Sequence, residues 1–141
     1  KAAVYYNESL KINRKSDYKR GIAGNLSNLG VIEEIRENLI LSMNYYKMAL
    51  EIDKEIGYYK GIANDLNNIA SLYRTMGKKE DAIDYCERAL KVNKRAGNVY
   101  RVLEDFKNLS DIYESLGNKE KSNKYKELAQ NISKKINKSF N

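Results

Sequence analysis

An internal repeat with a period of 40 residues constrains this chain more than any other feature. When the sequence is compared with itself at that offset, residues of the same kind recur at the same places. The matching sets include Tyr5, Tyr45, Tyr85 and Tyr125; Ile12, Ile52, Val92 and Ile132; and Asn28, Asn68 and Asn108. The segments GIAGNLSNLG and GIANDLNNIA are near-copies of each other. A repeat of this length is one supersecondary unit that buries its apolar face against neighbouring copies.

Each unit contains two helical patterns, with apolar residues spaced by three and four positions. The first pattern spans residues 21–37, 61–76 and 101–116, and the second spans 40–56, 80–96 and 119–138, with a further copy at 2–16. Glycines stand where left-handed residues are expected to close these helices, at Gly57, Gly77, Gly97 and Gly117. The pattern predicts seven helices joined by short turns.

The composition excludes several kinds of chemistry. The chain has no histidine, so it offers no Ser–His or Cys–His catalytic pair and no histidine-based metal site. Its one cysteine, Cys86, allows neither an internal disulfide nor a CxxC zinc cluster, which favours a reducing, cytoplasmic setting. We expect no catalytic residues, no metal and no cofactor.

With these features, the units resemble tetratricopeptide repeats (TPR). The residues that carry the resemblance are Leu29-Gly30; Tyr73 and Tyr113; the small residues Ser42, Ala82 and Ser122; and Ala49, Ala89 and Ala129. The pattern covers nearly the whole chain. The 40-residue period is similar to that of the long-repeat branch represented by kinesin light chains and cell-polarity adaptors. The resemblance implies an all-α fold, a right-handed superhelical solenoid of antiparallel helix hairpins.

The repeat also predicts the organisation of the chain as a single domain. Residues 1–20 correspond to the second helix of a truncated repeat, and 21–60, 61–100 and 101–141 are full repeats. The last helix has Lys126 and Gln130 where earlier copies have apolar residues, which predicts a C-terminal cap. The first helix has no partner before it, so we expect the natural protein to continue upstream. We also expect self-association of the fragment through Val4 and Tyr5.

Asparagine at one position of every first helix is the most informative polar feature, because asparagine is a mediocre helix former. In the resembled family, first helices line a concave groove, and asparagines there hydrogen-bond the backbone of a bound peptide. Structural capping of contacts between helices is the competing interpretation. The predicted peptide-binding groove residues are Asn28, Asn68, Asn108, Asn64, Asn67, Ser71, Arg74, Lys107 and Asp111. Too few cations occupy the aligned positions for the family's carboxylate clamp, so none is predicted.

A formal net charge of +7 raises nucleic acid as a partner. Most of the excess, however, lies in residues 1–20 and 119–141, whereas two of the three groove helices are acidic. A nucleic-acid groove needs Lys and Arg along the first helices. We therefore expect no nucleic-acid partner and a neutral or basic peptide ligand. No run of about 18 apolar residues occurs, so no membrane partner is expected either.

These observations predict a non-catalytic scaffold that binds a peptide or protein segment in its concave groove. Two alternatives stay open. The chain could be the peptide-sensing regulatory portion of a larger signalling protein, or an oligomerisation module whose apolar end surfaces pair.

Overall fold

The structure is a computed structural model that describes the backbone of residues 2–140 and the side chains of residues 15–139. Within the described backbone there are six α-helices and no strand. The helices are α1 (Ala2–Ile35), α2 (Leu39–Ile56), α3 (Tyr59–Thr75), α4 (Lys79–Arg95), α5 (Val99–Ser115) and α6 (Lys119–Phe140). The all-α prediction is confirmed, and none of these helices is apolar over a stretch long enough to cross a membrane.

The prediction of seven helices is wrong, because the segments predicted at 2–16 and 21–37 form the single helix α1. The reason lies at the repeat position that follows the second helix of each unit. Gly57 and Gly97 stop α2 and α4 there with positive φ angles of 68° and 69°. The aligned residue in the first copy is Asp17, which lies inside α1 with a helical backbone. Without a glycine that favours the left-handed conformation, nothing interrupts the helix.

The turns inside the hairpins also contain a residue in the left-handed conformation. Gly77 and Gly117 follow α3 and α5 with φ angles of 78° and 77°, as predicted. In the first hairpin this position is occupied by Glu37, whose φ of 66° makes it the single non-glycine residue with positive φ in the described chain. The backbone N–H of Asn38 donates to the carbonyl of Glu33 at 2.9 Å, which closes the turn despite the unfavourable residue.

The chain divides into two compact units, residues 1–65 and 66–141. In the first unit, α1 and α2 pack as a hairpin around Tyr46 and Ala49, which are 1% and 0% exposed. Ser42 is also buried and donates its hydroxyl to the carbonyl of Gly30 at 2.7 Å. A Cβ atom on Gly30 would lie 2.5 Å from Cε1 of Tyr46. The small residues of the predicted pattern therefore allow two helices to approach closely.

In the second unit, α4, α5 and α6 enclose a core that includes Ala82, Ala89, Leu109 and Ile112. Aromatic rings line its edge: Tyr113 stacks on Tyr125 with centroids 5.8 Å apart.

The exposure of residues along α6 fits the predicted C-terminal cap, which stays a prediction. Lys126 and Gln130 are exposed, whereas the intervening Leu128 is half-buried and Ala129 is buried. The side chains of Val4 and Tyr5, on which the predicted self-association depends, lie outside the described residues. The solenoid shape and the single-domain organisation remain predictions.

Candidate functional site

The predicted groove residues lie on the first helix of each repeat, α1, α3 and α5, and most of them face solvent. The exposed members are Asn28, Asn64, Ser71, Arg74, Lys107, Asn108 and Asp111, and the half-buried members are Asn67 and Asn68. Because they are exposed, their polar groups are available to a ligand, whereas polar groups packed in the interior would already be hydrogen-bonded within the protein.

Four of the nine predicted residues share one small cavity of about 130 Å³ in the second unit. Its polar lining residues are Asn67, Ser71 and Arg74 from α3 and Asn108 from α5, and its apolar lining comes from Ala70, Cys86 and Ile112. Arg74 supplies the only charge among the described residues of this lining. We call this feature the α3–α5 cavity.

The other predicted residues do not line the α3–α5 cavity. Lys107 and Asp111 line a second cavity of about 520 Å³ between α5 and α6, together with Lys126 and Lys134. Asn64 and Asn68 lie on α3 but line neither cavity. Asn28 belongs to α1 in the other unit. On α3 the cavity is therefore lined by Asn67, one residue before the aligned Asn68, whereas on α5 it is lined by the aligned asparagine Asn108 itself.

A buried carboxylate, absent from the predicted set, anchors one wall of the α3–α5 cavity. Asp105 is 1% exposed and accepts hydrogen bonds from Nδ2 of Asn93 at 2.6 Å and from Nδ2 of Asn67 at 3.2 Å. Burial raises the pKa of Asp105, while the two amide donors oppose that rise because they favour the charged form. The bond to Asp105 holds the side chain of Asn67 in place, leaving its Oδ1 and second N–H for a ligand.

The first unit holds a different cluster at the same repeat positions. Asp65 is 1% exposed and accepts a hydrogen bond from Oγ of Ser27 at 2.7 Å, but its other neighbour is the buried carboxyl of Asp53. Burial, followed by the hydrogen bond with Asp53, raises the pKa of Asp65 to about 8. Among the described side chains, Oδ1 of Asp53 and Oδ2 of Asp65 have no hydrogen-bond partner, so a proton on Asp65 that is shared with Asp53 satisfies both.

Neither buried carboxyl was among the predicted functional residues. The available signal was the recurrence of aspartate at residues 65 and 105, inside a helix and next to the apolar residues Leu66 and Phe106. A charged residue kept at such a place in two copies indicates a buried, hydrogen-bonded carboxyl.

The chemistry of the α3–α5 cavity is that of hydrogen bonding. Burial raises the pKa of the Cys86 thiol to about 12, so the sulfur stays protonated at neutral pH and is a poor nucleophile. Among the side chains that the structure describes, no group of three or more Cys, Asp and Glu residues is placed to hold a metal ion. The residues present can bind a polar chain, but they do not form a nucleophile–base pair.

Known proteins with a similar fold share this helical arrangement. The chain superimposes on BtubC (BKLC) from P. vanneervenii with a TM-score of 0.77 at 24% identity, over 96% of this chain and 57% of that one. It superimposes on the TPR domain of FLU from Arabidopsis with a TM-score of 0.74 at 19% identity, over 83% of this chain and 98% of that domain. These similarities show the fold.

A third similar structure is aspartyl phosphate phosphatase F from Bacillus subtilis, with a TM-score of 0.80 at 18% identity. The match covers 85% of this chain but 31% of the phosphatase, so the chain corresponds to a minor part of that protein.

At the level of sequence, a comparison with curated proteins finds no match. The sequence profile of the tetratricopeptide repeat, in contrast, matches two overlapping stretches, residues 21–95 and 61–135. Together these stretches cover most of the chain, and they agree with the structural similarities. The chain belongs to the tetratricopeptide repeat family.

Proposed function

We propose that this protein is a non-catalytic interaction scaffold that binds an extended peptide or protein segment in the α3–α5 cavity. The observation that carries the proposal is the convergence of Asn67, Ser71, Arg74 and Asn108 on one concave surface. Tetratricopeptide repeats generally serve as protein-binding modules, so the family assignment supports the same class of function.

The polar groups of the α3–α5 cavity match those of a peptide backbone. Each amide side chain offers both a donor and an acceptor, which is what one peptide unit requires. The guanidinium of Arg74 supplies donors for a backbone carbonyl. Asn67 contributes most to preorganisation, because its hydrogen bond to Asp105 restricts its rotamers before a ligand arrives.

The charge of α5 supports a neutral or basic ligand. This helix carries Glu104, Asp111 and Glu114 on exposed positions, against the cations Arg101 and Lys107. Arg101 also lies within 3.4 Å of Glu104, which partly neutralises both. Glu114 likewise lies 3.7 Å from Lys126. The carboxylates that α5 exposes still outnumber the cations of that helix, which favours basic over acidic side chains on the ligand.

A random-peptide display library tests the proposal. Peptides selected on the wild-type protein are measured again on Asn108→Ala and Ser71→Ala. We expect each variant to lose about 0.5–1.5 kcal/mol of binding free energy, the usual contribution of one hydrogen bond. Asn123→Ala is the matched control, since Asn123 is an exposed asparagine on α6 that does not line the cavity. Equal binding by Asn108→Ala, Ser71→Ala and Asn123→Ala would contradict the proposal.

We propose as a second candidate that these repeats form the peptide-sensing regulatory portion of a larger signalling protein. The match to only 31% of the length of aspartyl phosphate phosphatase F is what a part of a larger protein would give. A sensing role requires that the ligand favour one conformation over another. The selected peptide should then change amide hydrogen exchange in helices that it does not touch, such as α2. Protection confined to α3 and α5 would favour the plain scaffold.

A further inference from the structure

An exposed apolar surface surrounds the turn between α1 and α2. Ile35 and Ile40 are 78% and 76% exposed, and Val31, Ile32 and Leu41 are each more than 40% exposed. We call these five residues the α1–α2 patch. Clustered large apolar side chains on a surface mark a place where another molecule binds.

The surroundings of the α1–α2 patch are acidic. Glu34 and Glu37 lie on either side of Ile35 in the chain, and Glu33 precedes them. The one cation in the turn, Arg36, pairs with Glu33 at 3.2 Å. A partner for this patch should therefore combine an apolar surface with positive charge.

The second unit of the same chain presents such a surface. A groove of about 530 Å³ lies between the C-terminal end of α4, the start of α5 and the end of α6. Its apolar lining consists of Val99, Tyr100, Val102, Ile132 and Ile136. We call it the α4–α6 groove.

The charge of the α4–α6 groove is opposite to that of the patch. Of the residues that the structure describes, Lys94 and Lys135 line it, and no carboxylate does. The whole of α6 is basic, with seven lysines against two glutamates. The lysines would repel one another if a cationic partner entered the groove, and they attract an acidic one.

We propose that a second copy of this chain docks its α1–α2 patch into the α4–α6 groove. Apolar side chains meet in the centre of this interface, while glutamates of one copy face lysines of the other around the rim. Because the two surfaces differ, the contact is head-to-tail. Each added copy leaves one patch and one groove free, so assemblies grow with protein concentration.

Sedimentation of the 141-residue chain over a concentration series extending into the millimolar range tests the proposal directly. The patch variant is Ile35→Ser with Ile40→Ser, and the groove variant is Tyr100→Glu with Lys135→Glu. We expect each to weaken self-association by about tenfold or more, since the first removes apolar contact and the second places carboxylates against an acidic surface. The two altered surfaces do not complement each other, because the altered patch stays acidic and the altered groove becomes acidic. All four side chains are exposed, so the fold should be retained, which thermal unfolding checks.

Mixing the two variants provides the sharper measurement. The patch variant keeps an intact groove, and the groove variant keeps an intact patch, so an equimolar mixture should form dimers and stop there. Tyr59→Lys is the matched control, because Tyr59 is 61% exposed but belongs to neither surface, and it should assemble like the wild type.

Three outcomes would overturn the proposal. The first is a wild-type chain that stays monomeric throughout the series. The second is self-association that persists in either variant, because the contact would then use another surface. The third is a mixture that contains no dimers, because the two surfaces would then not bind each other.

Discussion

At equivalent repeat positions, the two units bury an aspartate in different ways. In residues 66–141, Asp105 receives hydrogen bonds from two amides, Asn93 and Asn67. In residues 1–65, Asp65 receives one from a hydroxyl and faces a second carboxyl, Asp53. Forty residues separate each pair of aligned positions, so the same backbone framework supports two electrostatic arrangements.

The difference shows what a buried carboxyl needs in this fold. Two amide donors can stabilise a buried negative charge, whereas a neighbouring carboxyl can do so only while a proton is shared. Burial raises the pKa of both aspartates, but the amides oppose the rise at Asp105 and the hydrogen bond with Asp53 adds to it at Asp65. The stability of the first unit should therefore depend more strongly on pH than that of the second.

The largest expected effect on stability comes from giving Asp105 a carboxyl neighbour like the one that Asp65 has. Asn93→Asp removes the 2.6 Å donor to Asp105 and puts a like charge beside it. We expect a loss of about 2–4 kcal/mol in the free energy of unfolding at neutral pH, measured by urea titration. The loss should shrink at acidic pH, where the new carboxyl is protonated. Asn123→Asp, on an exposed position, should change stability little; an equal effect of both variants would contradict the argument.

The units also differ where helices touch. The first unit pairs Gly30 with the large Tyr46, and the aligned residues of the second are Ala70 and the smaller Cys86. Gly30→Ala should cost about 1–3 kcal/mol, because its Cβ overlaps the tyrosine ring. Gly24→Ala, whose Cβ has no neighbour within 4 Å, should instead stabilise α1 by about 0.5–1 kcal/mol. If Gly30→Ala and Gly24→Ala shift the urea midpoint in the same direction and by the same amount, contact with the Tyr46 ring does not explain the cost of Gly30→Ala.

Giving Asp65 an amide neighbour like the one that Asp105 has should stabilise the protein. Asp65 has a pKa of about 8 in the fold against an ordinary value of 3.8. Because the folded value is raised, its protonated form contributes stability below pH 4, and that contribution is lost as pH rises through about 8. Asp53→Asn supplies an amide in place of the second carboxyl.

We expect Asp53→Asn to raise the free energy of unfolding by about 1–2 kcal/mol above pH 8 and to flatten the pH dependence of the melting temperature. The control is Glu51→Gln, which removes an exposed carboxyl from the same helix. A pH profile of Asp53→Asn that coincides with that of the wild type would rule out the shared proton.

The smallest effect concerns the turns. Glu37 has the left-handed conformation that Gly77 has in the aligned turn. Glu37→Gly should stabilise the protein by up to about 1 kcal/mol. This figure is the backbone strain that glycine relieves, minus the conformational entropy that glycine loses on folding. Gly77→Ala should destabilise it by about 1–2 kcal/mol. Differential scanning calorimetry measures both, and a stabilising Gly77→Ala would be the contrary result.

Much of the fold could be predicted from the period and the spacing of apolar residues. The bounds of α2 to α6, the glycine turns and the buried alanines all follow from local sequence and one repeated packing pattern. The joining of residues 2–35 into one helix did not, although Asp17 in the register of Gly57 and Gly97 was a usable signal.

The site was harder to predict than the fold. Exposure of Ser71, Arg74 and Asn108 follows from their position on the face of the first helices, so these residues could be selected. Asp105 could not be predicted as the residue that holds Asn67, because its partners lie 12 and 38 residues away and come together only when three helices pack.

The sequence by itself determined the repeat, the helices α2 to α6 and the family, because apolar periodicity and capping residues act over one or two helical turns. The tertiary structure decided which polar side chains are buried and what each one contacts. Asp65 and Asp105 occupy the same register, yet one faces a carboxyl and the other an amide. That distinction changes the pKa and the stability of each unit, and it arises from the neighbouring helices rather than from the helix that carries the aspartate.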